Sequence, residues 1–195
     1  MKSQDFLLML KIVSLGKKFT ENVSWEQATL LEAESPDYFF SQKSPFSIRG
    51  LADSVGVSKT EVSASLKRLE KLNLVHFHER NPKIRVNKKA LLELIQYAVP
   101  YFFPAEISGI TRGTPTSFAA PILQGKIMSA GELAYVWSDE NGKVKGLQVS
   151  PLHPSVPKAI RFDEFLYNYL ALVDGVRLGN PREKDFSMSL LIELI

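Results

Sequence analysis

The chain has 195 residues, 45% of them apolar, enough for one sizeable core or two modest ones of about 100 residues each. The absence of cysteine excludes disulfides, thiolate chemistry and cysteine-ligated zinc, and makes a reducing cytoplasm the expected compartment. The net charge of +3 is unevenly placed, with ten Lys/Arg against four Asp/Glu in residues 44–90 and fourteen against seventeen elsewhere, a distribution that points to phosphate contact by that segment.

Ser3 to Leu15 reads as a helix, with Phe6, Leu7, Leu8, Met9, Leu10, Ile12, Val13 and Leu15 apolar and Gly16 placed as its C-terminal stop. The apolar run is broken by Lys11 and too short to span a bilayer, and no small-residue cleavage site follows it. Neither secretion nor a membrane anchor is expected. A helix that is apolar almost all round must be buried on more than one side. Packing on its own domain and on a second subunit satisfies that requirement and is the expected arrangement; a central place in a monomeric core also satisfies it.

Residues 17–45 carry mixed signals. A weakly amphipathic segment runs around Trp25 to Ala33, Pro36 after Ser35 suits a first helical turn, and Tyr38, Phe39 and Phe40 suit core packing better than cofactor stacking.

Ser47 then caps a short helix carrying Ile48, Leu51, Ala52 and Val55. Gly56-Val57-Ser58 follows: a glycine that tolerates positive φ, a valine to plug the angle between helices, and a serine to cap the next helix. In that second helix Ser58 and Glu61 form a Ser-x-x-Glu box, and Val62, Leu66 and Leu69 share one face. The opposite stripe is Thr60, Ser63, Ala64, Lys67 and Lys71. At Leu74 the apolar period drops from about 3.6 to 2. Val75 and Phe77 alternate with His76 and His78, and after Glu79-Arg80-Asn81-Pro82, Ile84 and Val86 alternate with Lys83, Arg85 and Asn87. Two helices at a tight turn followed by two strands with a basic tip make a helix-turn-helix with a wing. With the run Leu69-Glu70-Lys71-Leu72-Asn73-Leu74-Val75, this segment resembles the winged helix-turn-helix regulators of the MarR type.

Asn87 caps a helix expected over residues 88–99, ended by Pro100 and Pro104, whose apolar face suits pairing with the N-terminal helix in a dimer. Residues 105–124 contain Gly109, Gly113, Pro115 and Pro121 without periodicity, and read as an extended arm in which Thr111-Arg112-Gly113 either meets DNA or lies over a subunit. Leu133 to Trp137 and Val144 to Val149 flank Asn141-Gly142, the signature of a β-hairpin. A helix from about Phe162 to Val176 and another opened by Asn180-Pro181 complete the chain.

A wider resemblance rests on Lys2 to Asp5, the helix-turn-helix, Thr111-Arg112-Gly113-Thr114-Pro115-Thr116-Ser117-Phe118-Ala119-Ala120-Pro121 and Leu170-Ala171-Leu172-Val173-Asp174-Gly175-Val176-Arg177. Together these stretches are similar to a group of bacterial MarR-type winged-helix proteins. The resemblance implies a DNA-binding regulator and no particular ligand; some proteins of this kind are regarded as antitoxins partnered with a toxin.

The fold expected is therefore mainly α with small β. A winged helix-turn-helix with flanking dimerisation helices occupies residues 1–103, an extended linker 104–129, and a small C-terminal α+β module 130–195. Candidate DNA contacts are Ser58, Lys59, Thr60, Ser63 and Lys67 on the second helix, Arg68 at its flank, and Arg80, Lys83 and Arg85 on the wing. The partners expected are double-stranded DNA and a second copy of the chain. The alternative is an antitoxin-like protein whose C-terminal half binds a protein partner while the winged helix autoregulates. His76 and His78 have metal-like spacing but lack a third ligand nearby, and no nucleophile elbow or phosphate-cradling loop is present, so no cofactor, metal or catalytic activity is expected.

Overall fold

A computed structural model describes residues 1–22, 44–78, 81–127 and 133–195, the side chains of residues 19–22, 78 and 81–83 excepted. The described residues form eight α-helices and two small sheets, in line with the expected mainly helical class. They divide into two compact units, Met1–Leu91 and Leu92–Ile195. The expectations for Trp25, Pro36 and the Tyr38-Phe39-Phe40 run lie outside the described residues.

In the first unit, helix α1 (Ser3–Asn22) runs through Gly16 instead of stopping there. A mid-helix glycine costs only about 1 kcal/mol relative to alanine, which packing readily offsets. Residues 5–14 are all buried within the single chain, Lys11 and Ser14 included. The apolar circumference of this helix thus needs no second subunit to cover it, which removes that ground for expecting a dimer through α1.

Helix α2 (Ile48–Val55) and helix α3 (Lys59–Lys71) follow the local chemistry closely. Ser47 Oγ accepts a hydrogen bond from the Gly50 amide at 3.0 Å, Gly56 ends α2 at φ 69°, and Ser58 Oγ accepts from the Glu61 amide at 3.2 Å. Leu51, Ala52 and Val55 of α2 and Val62, Leu66 and Leu69 of α3 are buried. Helix α3 ends with Asn73 at φ 55° and the Leu74 amide bonded to the Leu69 carbonyl at 2.9 Å, the six-to-one closure that asparagine, second only to glycine, accommodates.

Strands β1 (Val75–His78) and β2 (Asn81–Val86) pair antiparallel with Val75 opposite Val86 and Phe77 opposite Ile84. Val75 and Ile84 face the core as the alternation requires, but Phe77 is 46% exposed, next to the register irregularity between Phe77 and His78. Helix α4 (Lys88–Tyr97) follows, and Pro100, instead of ending it, sits in the first turn of a short helix α5 (Val99–Phe102), where its missing N–H costs nothing.

The second unit departs most from expectation. The stretch read as an arm contains strand β3 (Ile107–Pro115) and a 3-10 turn (Ser117–Ala119). Strands β4 (Tyr135–Ser138) and β5 (Val144–Val149) each pair antiparallel with β3 and therefore run parallel to one another, so the expected β4–β5 hairpin is not formed. All three strands close on one another. Glycine makes this possible by removing side chains rather than by positive φ: a Cβ at Gly142 would collide with the Gly113 backbone, one at Gly113 with Trp137, and one at Gly146 with Ala134. A one-turn helix α6 (Val156–Ala159) precedes helix α7 (Glu164–Leu178), which packs against helix α8 (Pro181–Leu194). Asp163 caps α7, and Asn180 with Glu183 forms a complete capping box for α8.

A buried polar knot joins these elements. Asp174 on α7 accepts from Thr116 Oγ1 at 2.9 Å and Trp137 Nε1 at 2.7 Å through one oxygen, and from Arg177 Nη1 at 2.6 Å through the other. Arg177 also donates to the carbonyls of Phe103, Ser150 and Pro104. Burial pushes the Asp174 carboxyl up, and the charge of Arg177 with the bonds from Arg177, Thr116 and Trp137 only partly offsets it. Beside the knot, Tyr167 donates to the Pro115 carbonyl at 2.8 Å, and burial pushes its phenol up to about 12.

Candidate nucleic-acid interface

Amphipathic α3 turns Val62, Leu66 and Leu69 inward, so the residues half a turn away must face out. Thr60 and Lys67 are exposed, and Ser63 and Ala64 half-buried, on that outer side. Together with Lys59 and with Ile48 from α2 they line one open groove. Helix α3 has 13 residues and is thus about 20 Å long. Neither Lys59 nor Lys67 makes an ion pair with a described residue, and the hydroxyls of Thr60 and Ser63 make no hydrogen bond to one. The groove therefore presents two cations, two hydroxyls and two small apolar surfaces to whatever enters it.

Four of the nine sequence-derived contacts, Lys59, Thr60, Ser63 and Lys67, come together here. Ser58 is exposed beside them, with its oxygen engaged as the α3 cap. Arg85 is exposed on β2, opposite His76, and is not among the residues lining this groove. Arg80 and the side chain of Lys83 lie outside the described residues.

Arg68 lies on the flank of α3, as expected, but its guanidinium is already engaged there. Its side chain lies on the flank of α3 that faces α1, where Nη2 donates to Asp5 Oδ1 at 2.8 Å and to Ser65 Oγ at 3.0 Å, and Nε donates to Asp5 Oδ2 at 3.3 Å. Asp5 is fully buried and also accepts from the Lys2 amide at 2.8 Å. Burial alone would raise the Asp5 carboxyl, but the bonds from Arg68, the Lys2 amide and Ser65 outweigh it and leave the group below its ordinary value. Arg68 is thus a tie between α1 and α3 rather than a free cation. Glu61 reinforces the same seam: its carboxylate accepts from Gln4 Nε2 at 2.6 Å and lies 3.5 Å from Lys2 Nζ, rather than returning to the Ser58 amide as a capping box would.

Ile48 and Asp5 are the residues that pattern reading did not assign to this region. Ile48 belongs by spacing with the apolar residues of α2, yet it is 43% exposed. Asp5 stands at the start of an apolar helix, and only the long-range partner Arg68 reveals its role. Among the described residues no group of three or more His, Asp or Glu is placed to hold a metal ion. No helix among them is long and apolar enough to cross a membrane.

A family model described as HVO_A0114 matches residues 39–91, about a quarter of the chain and including α2, α3 and both strands of the first unit. Comparison with curated proteins and with solved structures finds no match.

Proposed function

We propose that this protein is a sequence-specific double-stranded DNA-binding regulator of transcription, built on a MarR-like winged helix-turn-helix and acting as a cytoplasmic homodimer. Helix α3 enters the major groove, whose width admits a helix and whose base edges display a distinguishable donor and acceptor pattern. The observation that carries this is the open groove along α3, where Lys59 and Lys67 flank Thr60 and Ser63 and are not neutralised by a described residue. The lysines supply phosphate or guanine contacts, the hydroxyls reach base edges, and the exposed N-terminus of α3 adds its own dipole toward phosphate. Arg85, with Arg80 and Lys83, forms the wing's contribution to the DNA backbone or the minor groove. The local surplus of positive charge in residues 44–90 supports the same assignment.

Selection of bound fragments from genomic DNA, followed by titration of the enriched duplex, tests it. Enrichment of one sequence with salt-dependent affinity is the expected result. Replacing Arg80, Lys83 and Arg85 together by alanine should lower the salt dependence by roughly two to three phosphate contacts. An unchanged slope would remove the wing from the interface, and failure to enrich any duplex would remove the function.

A further inference from the structure

Five of the exposed large apolar residues fall within fourteen positions of the second unit: Tyr97 is 68% exposed, Tyr101 80%, Phe102 76%, Ile107 46% and Ile110 55%. They sit at the end of α4, on α5 and on the first half of β3. From the pairing register, β3 has β5 along one side of residues 107–113 and β4 only at residues 113–115. Over residues 107–111 its other edge therefore has no strand partner among the described residues. The same stretch carries an extra residue relative to β5, since Ile107 lies opposite Val149 and Ile110 opposite Leu147, so backbone groups around Ser108 and Gly109 are left out of the ladder. Residues 107–110 are exposed one after another, so neither face of this strand is covered.

An open, uncharged strand edge is a template for pairing, and soluble proteins ordinarily blunt such edges with lysine, proline, a bulge that twists the edge away or a covering element. Here residues 107–111 are Ile-Ser-Gly-Ile-Thr, with no charge or proline and, among the described residues, no covering element; the extra residue around Ser108 and Gly109 interrupts the pairing with β5 on the other side. We propose that a second copy of this chain covers the edge, β3 pairing antiparallel with β3 across a two-fold axis and Tyr97, Tyr101 and Phe102 packing around it. A strand edge is complementary to itself in the antiparallel sense, so a two-fold axis satisfies the same backbone groups on both copies at once. Three aromatics and two isoleucines at these exposures offer roughly 600 Å² per copy, of the same order as about 800 Å² per partner in a stable interface. This places dimerisation in the second unit and not on α1, whose apolar surface is already buried. It stands independently of whether α3 binds DNA.

The cysteine-free chain makes the test direct, because each introduced thiol is the only one present. Single variants Ser108→Cys, Ile110→Cys and, as a remote control, Ser189→Cys on α8 are oxidised mildly at micromolar concentration and read on non-reducing gels. Disulfide-linked dimers at one or both strand positions and not at Ser189 are expected. Light scattering of the unmodified chain over a dilution series should show a dimer, and Phe102→Lys with Ile110→Lys should raise its dissociation constant at least about 100-fold while helical circular dichroism is retained. A chain that is monomeric at all concentrations, or strand-position cysteines that link no better than Ser189→Cys, would overturn the proposal. Should the lysine variant fail to fold, the cross-linking comparison alone decides.

Discussion

Replacing Arg68 by alanine separates two roles that the same residue might have on paper, a DNA contact and a structural tie. The substitution removes both guanidinium bonds to Asp5, leaving a fully buried carboxylate with the Lys2 amide and Ser65 as its remaining donors. Breaking a fully buried ion pair by deleting one partner costs about 3–5 kcal/mol. The Arg68 side chain is 33% exposed, so water entering after truncation recovers part of that, and a loss of about 2–3 kcal/mol is expected. With a urea dependence of about 1–3 kcal/mol per molar, the unfolding midpoint of the first unit should fall by about 1 M or more. Helical circular dichroism read with amide exchange in α1 and α3 assigns the loss to this unit, and a cycle with Asp5→Asn should return a coupling of about 1.5 kcal/mol or more. DNA affinity of the folded fraction should change less than about threefold, as expected for a residue outside the interface. A stable Arg68→Ala variant with weakened DNA binding would refute the assignment and restore Arg68 to the interface.

Other consequences follow from the same geometry. The Asp5 carboxyl lies below its ordinary value when folded, so its stabilisation is complete above the unfolded pKa of about 3.9 and lost as pH falls through the folded value. The stability difference between the natural chain and Asp5→Asn should accordingly shrink below about pH 4, and a difference constant from pH 7 to pH 3 would contradict this. In the second unit, Asp174→Asn leaves the buried Arg177 without its counter-charge and should cost about 3–5 kcal/mol, measured as a loss of Trp137 fluorescence change at lower urea. Gly142→Ala should destabilise that unit by about 3 kcal/mol or more, because the new methyl overlaps the Gly113 backbone rather than a side chain able to move; a neutral outcome would mean the three strands do not close as described.

Local chemistry was legible wherever a short stretch decides its own conformation. Ser47, Gly56 and Ser58 mark the bounds of α2 and α3 through caps and one positive φ, and Asn180-Pro181 with Glu183 does the same for α8. The outer stripe of α3 followed from its apolar face, since a helix with Val62, Leu66 and Leu69 buried has only one way to point Thr60 and Lys67. What depended on distant partners was not legible. Arg68 looked like an open cation until Asp5, 63 residues away, was seen to hold it. Strand β3 was hidden because glycine and proline suppress the alternating pattern, although one of those glycines, Gly113, is what lets Trp137 of β4 and Gly142 approach it. Asn141-Gly142 suggested a positive-φ hairpin turn, whereas Gly142 serves close packing against Gly113. Thr116, Asp174 and Arg177 lie in two of the four stretches that carry the wider resemblance, and the knot they form with Trp137 gives those two a shared physical role.

The most direct test of the central claim is the salt dependence of duplex binding for the natural chain and for Lys59→Ala with Lys67→Ala, read by fluorescence anisotropy on the enriched fragment. If both lysines meet phosphate, the slope of log affinity against log salt should become shallower by about 1.8, with the fold and its stability unchanged. An identical slope in the two proteins, or no salt-dependent binding by the natural chain, would contradict the placement of α3 on DNA.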